Sequence, residues 1–553
     1  MSGVSITASV WPAVMINENP ACVYAGILQA CFEGSGFPMS LNPFAGHPPG
    51  LVVCFTTEVW ERFSYYGMRA LLVFYLTQHF LFSDDEAFLI YGAYTALVYL
   101  MPVFGGIFAD QFLGSRKSVT LGAVLMVVGQ LGLMLTGPAA MESVRDGVRV
   151  VERDPVFLDG FFLSLALIVT GVGFLKTNIS TVVGLLYEKN DPRRDGGFTI
   201  FYMGINIGAA AAPLLTAWLA FEYGWSWGFG AAGVGMMAGL LGFLKGQKYL
   251  LGHAEPPDPE RLRRRIFAGI NIEWLIYLGA GVLVLFAWFL LQRQHLVGLL
   301  LSAVGVLMAI VITWYAFFRC TRVERDRLIV VSVLILFTVS FWAFYEQMGS
   351  SLVLFADRMV DRVVFGYEIT AASLVSLPAI FVILFAPLYS MLWLALGRRG
   401  IEPQAPMKFV IAIALLALAF LALAFGIGAT DAGQRVALFW FVLNYLLLVL
   451  GELCLAPVGM SVLTKLSPHR IVAMMMGVFL LAISASSFIS GLLARLTSVE
   501  RVGEGLADPA AAMANYQEVF HLMGLVALGV AALLLLLSPF LKRMMHLDKQ
   551  IEE

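Results

Sequence analysis

Apolar runs of about 20 residues recur along almost the whole chain. A run of that length, folded as an α-helix, spans the ~30 Å hydrocarbon core of a bilayer and satisfies its own backbone hydrogen bonds. The sequence therefore predicts an all-α polytopic membrane protein. We predict fourteen transmembrane helices, with the approximate bounds 51–80, 86–108, 117–137, 157–186, 198–220, 226–246, 268–291, 296–318, 328–352, 369–396, 407–428, 436–465, 471–493 and 516–541.

The composition excludes several other classes of protein. Of the 553 residues, 60% are hydrophobic and only 13% are charged, whereas soluble domains average about 25% charged residues. A net charge of −2 and the lack of a basic tract argue against a nucleic-acid partner. The sequence contains neither a nucleotide-binding loop nor a metal-ligand spacing, so we expect no cofactor and no enzymatic activity.

The charges in the loops predict the orientation of the chain. Alternate connections are rich in Lys and Arg, as at 245–265 and 319–327, and those between them are sparse or balanced, as at 142–154 and 357–362. Cytoplasmic loops carry the excess of Lys and Arg, so both termini are expected in the cytoplasm. That arrangement requires an even number of spans.

The hydrophilic segments divide the chain into four parts. An N-terminal extension, 1–48, has no Lys or Arg and no continuous apolar core. Two groups of six spans follow, at 49–250 and 328–553, and the segment 251–327 between them holds a linker and an inserted two-helix hairpin. Two six-helix bundles are typical of transporters that bind their cargo between the halves.

The first span carries a polar stripe. Its members fall within one sector of roughly 140° on a helix, since successive residues are rotated by about 100°, and they are Glu58, Glu61, Arg62, Tyr65, Tyr66 and Arg69. A charge facing lipid at mid-bilayer costs at least ~2.5–3.5 kcal/mol. The stripe must therefore face other helices or a water-filled cavity, and it is the main candidate for a functional site.

Three further charges lie inside apolar spans. Lys176 either pairs with an acid of the first span or binds a ligand or a proton. The second role fits a site shared with Arg62. Glu346 and Glu452 have no cation on their own helices. Topology makes Glu346 a partner for Arg69 or Arg62, and the two possibilities stay open here.

Three motifs in the correct order carry a resemblance to a known family. They run from Glu58 to Gly67, from Phe201 to Gly208 with Pro213 after it, and from Gly451 to Gly459. The chain resembles the proton-dependent oligopeptide transporters, a branch of the major facilitator superfamily, over about residues 50–541. The inserted hairpin is typical of bacterial members, which implies the bacterial inner membrane.

The resemblance implies a binding site for a peptide between the two bundles, formed by Arg62, Tyr66, Tyr99, Lys176, Asn206, Trp342 and Glu452. Arg62 and Lys176 meet the terminal carboxylate in this comparison, and Glu452, with Asn206 close by, receives the terminal ammonium. Asn206 by itself is weak evidence, because an asparagine in a membrane more often joins two helices by a hydrogen bond.

The same resemblance implies a route for protons and a gate. Proton coupling is assigned to Glu58, Glu61, Arg62 and Glu346, and the gating ion pair to Arg69 and Glu346. Asp110 and Arg116, at the end of the second span, help to hold one conformational state closed. The chain departs from the family where it has Gly92 in place of the histidine of animal members and Pro378-Ala379 in place of a common Asn-Pro pair.

The expected function is that of a proton-coupled symporter that imports di- and tripeptides by alternating access, with the proton gradient as its energy source. Its expected partners are peptides, protons and membrane lipid, and it is expected to be a monomer. Two alternatives stay open: a transporter of the same fold for nitrate or another small solute, and a peptide sensor that transports nothing.

Overall fold

The computed structural model describes residues 43–546, except 146–147, 189, 251, 268–269, 432 and 503–504. The predicted N-terminal extension lies outside the described residues up to position 42. Within the described residues the chain forms sixteen α-helices and ten short strands. The predicted all-α class is therefore confirmed.

The first bundle consists of six long helices: α1 (Gly50–Phe74), α2 (Asp84–Phe108), α3 (Gly114–Met134), α4 (Pro155–Leu185), α5 (Arg194–Tyr223) and α6 (Trp225–Gly246). Turns of π-helix continue α1 through Tyr75–His79 and α2 through Ala109–Leu113, and the 3₁₀ turn Gln247–Leu250 follows α6. In the bundle, α1 packs against α5 and α6, and α3 packs against α4.

The linker and the hairpin contribute three helices: the short α7 (Pro259–Arg263), α8 (Ile272–Leu291) and α9 (Gln294–Phe318). The second bundle contains α10 (Arg322–Tyr345), α11 (Ser351–Met359), α12 (Leu377–Arg398), α13 (Ala405–Gly428), α14 (Leu438–Leu466), α15 (Val472–Ala494) and α16 (Pro509–Met544). Further 3₁₀ turns are Glu346–Gly349, Ala371–Ser376, His469–Ile471 and Arg495–Thr497. The predicted span 328–352 is thus interrupted by the turn between α10 and α11.

The strands are confined to the loops. They are β1 (Met141–Arg145), β2 (Val148–Glu152), β3 (Arg265–Phe267), β4 (Ile270–Asn271), β5 (Val360–Asp361), β6 (Val363–Val364), β7 (Tyr367–Glu368), β8 (Val436–Ala437), β9 (Arg501–Val502) and β10 (Gly505–Leu506). Four antiparallel pairs, β1–β2, β3–β4, β6–β7 and β9–β10, are local hairpins, and β5 pairs with β8 in parallel.

The number of membrane helices agrees with the prediction. Twelve helical segments among the described residues are long and apolar enough to cross a membrane. One of them, Asp84–Met134, has 51 residues, which at 1.5 Å per residue is about 77 Å. It therefore holds two spans, α2 and α3, which separate at Gly114, where φ is 71°. Counting α2 and α3 separately gives thirteen spans among the described residues. The helix α1, which carries the polar stripe and is not among the twelve, is the fourteenth, so the count agrees with the prediction from the sequence.

The two bundles meet along two pairs of helices, α2 with α15 and α5 with α12. Ser484 on α15 donates a hydrogen bond of 2.7 Å to the carbonyl of Ala96 on α2. A Cβ atom at Gly92 would lie 3.0 Å from the Cα of Gly491. The backbones therefore touch at Gly92, and a side chain of any size there requires the helices to move apart.

The hairpin lies against both bundles, since α8 packs against α4 and α9 packs against α15. Lys117 of α3 ties it to the first bundle, with its Nζ 2.5 Å from Oε1 of Glu273 at the start of α8. Glu255 of the linker is bound by the neighbouring residue of α3, Arg116. Arg116 donates hydrogen bonds of 2.6 and 2.9 Å to Glu255, and these bonds hold the pKa of Glu255 below its ordinary value.

Candidate functional site

A buried charge cluster occupies the middle of α1. Nε of Arg62 lies 2.8 Å from Oε1 of Glu58 and 2.7 Å from Oε2 of Glu61. The three residues are 2%, 0% and 4% exposed in chain order. The periodicity of the helix explains the contact between Glu58 and Arg62, because residues four apart share a face. Two carboxylates share one guanidinium, so one proton would neutralise the cluster.

Arg62 keeps most of its hydrogen-bonding capacity. It donates a hydrogen bond from Nε to Glu58, and among the described residues no hydrogen bond is found from its two terminal nitrogens. A guanidinium presents a planar fork that matches a carboxylate in a bidentate manner. The unused edge of Arg62 can therefore bind an anion without giving up its contact with Glu58.

Lys176, on α4, is the second cation of this region. Its Nζ lies 4.6 Å from the ring centroid of Tyr99 on α2, an arrangement that stabilises an ammonium through the face of the ring. Lys176 forms no ion pair with any described residue, although it interacts electrostatically with Glu61 and Glu58. The structural ion pair considered from the sequence is therefore not observed, and the ammonium is available to a ligand.

Glu452 is an acidic residue of the second bundle, whereas Arg62 and Lys176 of the first bundle are cations. It lies on α14, forms no ion pair with a described residue, and accepts a hydrogen bond from the hydroxyl of Tyr345 on α10. The ring of Tyr345 packs edge-on against that of Trp342, with centroids 5.0 Å apart. Glu452 can thus accept an ammonium while Tyr345 fixes the direction of its carboxylate.

Tyr66 connects the two halves of the site. It interacts electrostatically with Arg62 on its own helix and with Glu452 of the second bundle. Its ring packs edge-on against that of Tyr65 at 5.2 Å. Charged groups of both bundles therefore act on Tyr66.

The candidate gate is an ion pair between the bundles. Nη2 of Arg69 on α1 contacts Oε2 of Glu346, which follows α10. The Nε of Arg69 donates a hydrogen bond of 2.6 Å to the hydroxyl of Tyr91 on α2. The sequence leaves Arg69 and Arg62 open as partners of Glu346, and in the structure Glu346 pairs with Arg69.

The break between α10 and α11 makes room for this contact. A Cβ atom at Gly349 would overlap the hydroxyl oxygen of Tyr91 and would lie 3.1 Å from Nη2 of Arg69. No side chain fits there unless Tyr91 leaves Arg69. Gly349 and Tyr91 are thus members of the site that the sequence analysis misses, and so is Tyr345.

Asn206 is placed differently from the other predicted residues. Its side chain is 6% exposed, and its Nδ2 donates a hydrogen bond of 3.1 Å to the carbonyl of Tyr202, one turn earlier on α5. No contact between Asn206 and Glu452 is found among the described residues. Its neighbour Gly208 brings α5 onto α1, since a Cβ atom there would lie 2.8 Å from Cβ of Arg62.

Comparison with known proteins identifies the family. The model of the POT family matches residues 116–508. The chain belongs to the POT family. Membership agrees with the fourteen membrane helices, with the two-bundle major facilitator fold and with a multi-pass membrane transporter rather than an enzyme.

Individual relatives are similar to this chain over most of their length. The uncharacterized transporter YclF of Bacillus subtilis is 36% identical, with 91% of this chain and 96% of the relative covered. The peptide transporter YePEPT of Yersinia enterocolitica is 35% identical, over 81% and 88%. The dipeptide and tripeptide permease A of Erwinia pyrifoliae is 31% identical, over 91% and 96%.

Two solved structures of POT proteins have the same fold. The crystal structure of the peptide transporter POT in complex with sulfate has a TM-score of 0.74 and 32% identity, and 96% of this chain and 100% of that chain are covered. A POT family transporter in complex with 5-aminolevulinic acid has a TM-score of 0.73 and 30% identity, over 90% and 98%.

Proposed function

We propose that this protein is a proton-coupled symporter that imports di- and tripeptides by alternating access. The observation that carries the proposal is the presence of one cation and one carboxylate, in different bundles, that form no ion pair with a described residue. Lys176 of the first bundle and Glu452 of the second lack ion pairs with described residues, and Tyr66 of the first bundle interacts electrostatically with Glu452. A zwitterion of variable side chain needs such a clamp at its two ends.

The cationic end of the site suits a peptide carboxylate. Arg62 offers the unused edge of its guanidinium, and Lys176 offers an ammonium held over Tyr99. Charge-assisted hydrogen bonds of this kind are roughly twice as strong as neutral ones. A complex of a relative with sulfate supports this reading, since it contains an anion bound to a POT protein.

The acidic end suits a peptide ammonium. Glu452 accepts one hydrogen bond from Tyr345, and a carboxylate has about four acceptor positions, so several remain for the N–H groups of a ligand. Trp342 packs against Tyr345 and supplies an apolar wall. Such walls tolerate different side chains because aromatic surfaces impose few directional requirements.

Proton coupling is proposed to use Glu58, Glu61 and Arg62 on α1 together with Glu346. A proton on Glu346 would remove its charge and release Arg69. A peptide carboxylate on the unused edge of Arg62 would replace Glu61 as a partner of the guanidinium, while the contact with Glu58 remains. Both events weaken contacts that hold the observed state together. Coupling requires that proton and peptide favour the same conformational change.

The available energy limits what such a transporter can accumulate. A proton entering down ~100 mV yields ~2.3 kcal/mol, and one pH unit adds ~1.4 kcal/mol. One proton per neutral peptide therefore limits accumulation to about 500-fold. The proposed setting is the bacterial inner membrane, with both termini cytoplasmic and the chain a monomer.

The test is uptake of labelled dialanine into proteoliposomes that contain the purified protein, with and without an inward proton gradient. We expect accumulation only with the gradient, and no competition by nitrate. Gradient-driven nitrate uptake without peptide uptake would assign the protein to small anions. Binding of dialanine without uptake under either condition would make it a sensor.

A further inference from the structure

Arginine side chains cover the aromatic rings at the end of the inserted hairpin, in the last two turns of α9. Three guanidinium groups lie over rings there, with Cζ between 5.6 and 5.8 Å from the ring centroid. The pairs are Arg319 with Trp314, Arg325 with Phe317, and Arg470 with Tyr315. A cation held over a ring uses no hydrogen-bond acceptor, so its N–H groups stay available for an anion.

Two of these arginines have acidic neighbours. Nη2 of Arg470, in the turn before α15, lies 2.9 Å from Oε2 of Glu324 on α10, and Nε of Arg325 lies 3.8 Å from Oδ1 of Asp326. Arg470 also donates a hydrogen bond of 3.0 Å to the carbonyl of Arg319. The loop between α9 and α10 is therefore joined to the segment that precedes α15.

Two further arginines in this loop lack an acidic partner. Arg319 and Arg322 are exposed, and neither side chain forms a hydrogen bond or an ion pair with a described residue. They come directly after the last residue of α9, Phe318. A membrane helix ends where the hydrocarbon ends, so these two charges lie at the level of the lipid headgroups.

An exposed apolar face of α9 leads to the two charges. Among the twelve membrane segments found in the described residues, α9 is the least buried. Six of its exposed side chains fall within one sector of roughly 120°, and they are Leu299, Val306, Ile310, Trp314, Phe317 and Phe318. An acyl chain that lies along this face has its headgroup beside Arg319 and Arg322.

We propose that the end of α9 binds the phosphate group of an anionic phospholipid. Arg319 and Arg322 donate to the phosphate oxygens, since a guanidinium fork matches a phosphate, and Trp314 is the residue that positions Arg319. A lipid fits better than a free phosphate, because the apolar face continues directly from the arginines. The inference is independent of the proposed cargo, since none of these residues belongs to the peptide site.

The test measures binding of phosphatidylglycerol with short, fluorescent acyl chains to the full-length protein in an uncharged detergent. Phosphatidylcholine with the same chains is the reference, because its headgroup is zwitterionic, and fluorescence anisotropy gives both Kd values. We expect the wild type to bind phosphatidylglycerol more tightly. Arg319→Gln and Arg322→Gln should each raise Kd for phosphatidylglycerol about fivefold, the usual contribution of one basic residue near a membrane surface, and leave Kd for phosphatidylcholine unchanged.

Arg398→Gln and Arg399→Gln are the matched controls. These arginines stand at the end of another membrane helix, α12, and are exposed. Neither side chain lies over a ring or forms an ion pair within the described part of the chain. We expect no change in Kd. An equal rise in these controls would show that any arginine near the headgroups suffices, which would overturn the proposal. An unchanged Kd in both Arg319→Gln and Arg322→Gln would overturn it as well.

The aromatic ring is tested without a change of charge. Trp314→Leu should raise Kd for phosphatidylglycerol about two- to fivefold, because the ring no longer holds Arg319. Trp274→Leu is the control, since Trp274 on α8 is 61% exposed and lies under no described cation. An unchanged Kd in Trp314→Leu, or an equal rise in Trp274→Leu, would refute the positioning role.

Inorganic phosphate separates the two possible sources of the phosphate group. An excess of it in the buffer should leave the bound phosphatidylglycerol in place, because it lacks the acyl chains that lie along α9. Displacement of the lipid by inorganic phosphate, compared with chloride at equal ionic strength, would assign the site to a soluble anion and overturn the lipid proposal.

Discussion

Arg69 and Glu346 form an ion pair between the two bundles, at the point where a helix is interrupted. Tyr91 adds a hydrogen bond to the same guanidinium. One arginine thereby joins α1, α2 and the segment after α10. A change at Glu346 is transmitted to both bundles at once, which is the property that a proton-operated gate needs.

Glu346→Gln should abolish accumulation of dialanine under an inward proton gradient and leave peptide exchange across the membrane largely intact. Glutamine has nearly the same shape but takes up no proton, so the charge change that drives coupling is lost. Gradient-driven uptake and counterflow exchange in the same proteoliposomes measure the two activities. Glu273→Gln, in the hairpin, is the control and should retain both. Loss of both activities in folded Glu346→Gln would contradict the gating role.

Glu452→Gln should weaken binding of dialanine through the peptide ammonium. A hydrogen bond to a charged group contributes about 1.5–3 kcal/mol, so we expect KM to rise about tenfold or more. The informative comparison is with N-acetyl-dialanine, which has no terminal ammonium. The wild type should prefer dialanine strongly, and Glu452→Gln should lose most of that preference. An unchanged preference would show that another group receives the ammonium.

Helix positions were largely predictable from the sequence, because the length of an apolar run is fixed by bilayer thickness. The run at 226–246 corresponds to α6, Trp225–Gly246, within one residue. The interruption of the span 328–352 was not predicted. The side chain that packs against Gly349 at this break is Tyr91, which is distant in sequence.

The charged members of the site were predictable for a different reason. An ionised group inside an apolar span is costly unless it has a partner or a function, so Lys176, Glu346 and Glu452 stand out one by one. Their partners depend on how helices pack. The hydrogen bond from Tyr345 to Glu452 joins α10 to α14, and no local pattern in either helix indicates it.

Arg62→Met and Lys176→Met should differ in their effect on stability, although both remove a cation from the site. Arg62 is the ion-pair partner of Glu58 and Glu61, and removing one member of a buried pair costs about 3–5 kcal/mol. Lys176 has no ion pair among the described residues, so its loss should leave the free energy of unfolding nearly unchanged while raising KM for dialanine. Chemical unfolding of both variants in detergent provides the comparison.

The pH dependence of that comparison has a definite sign. In Arg62→Met, protonation of the two orphaned carboxylates removes their unfavourable charge, so the stability deficit should shrink as the pH falls and grow as it rises. Lys176→Met should show no such trend. An equal loss of stability in the two variants at all pH values would mean that Lys176 has a structural partner after all.

Gly349→Ala should impair transport by displacing Tyr91 from Arg69. The added methyl group would overlap the hydroxyl oxygen of Tyr91, and overpacking of this kind typically costs about 1–3 kcal/mol. Gly160→Ala is the matched control, since nothing lies within 4 Å of its Cβ position. A glycine replaced by alanine within an exposed helix should gain up to about 1 kcal/mol. Gly349→Ala should therefore lower both the temperature of thermal unfolding and the uptake of dialanine, whereas Gly160→Ala should raise the unfolding temperature slightly and leave uptake unchanged. Full uptake by Gly349→Ala would show that the contact between Tyr91 and Arg69 is dispensable for gating.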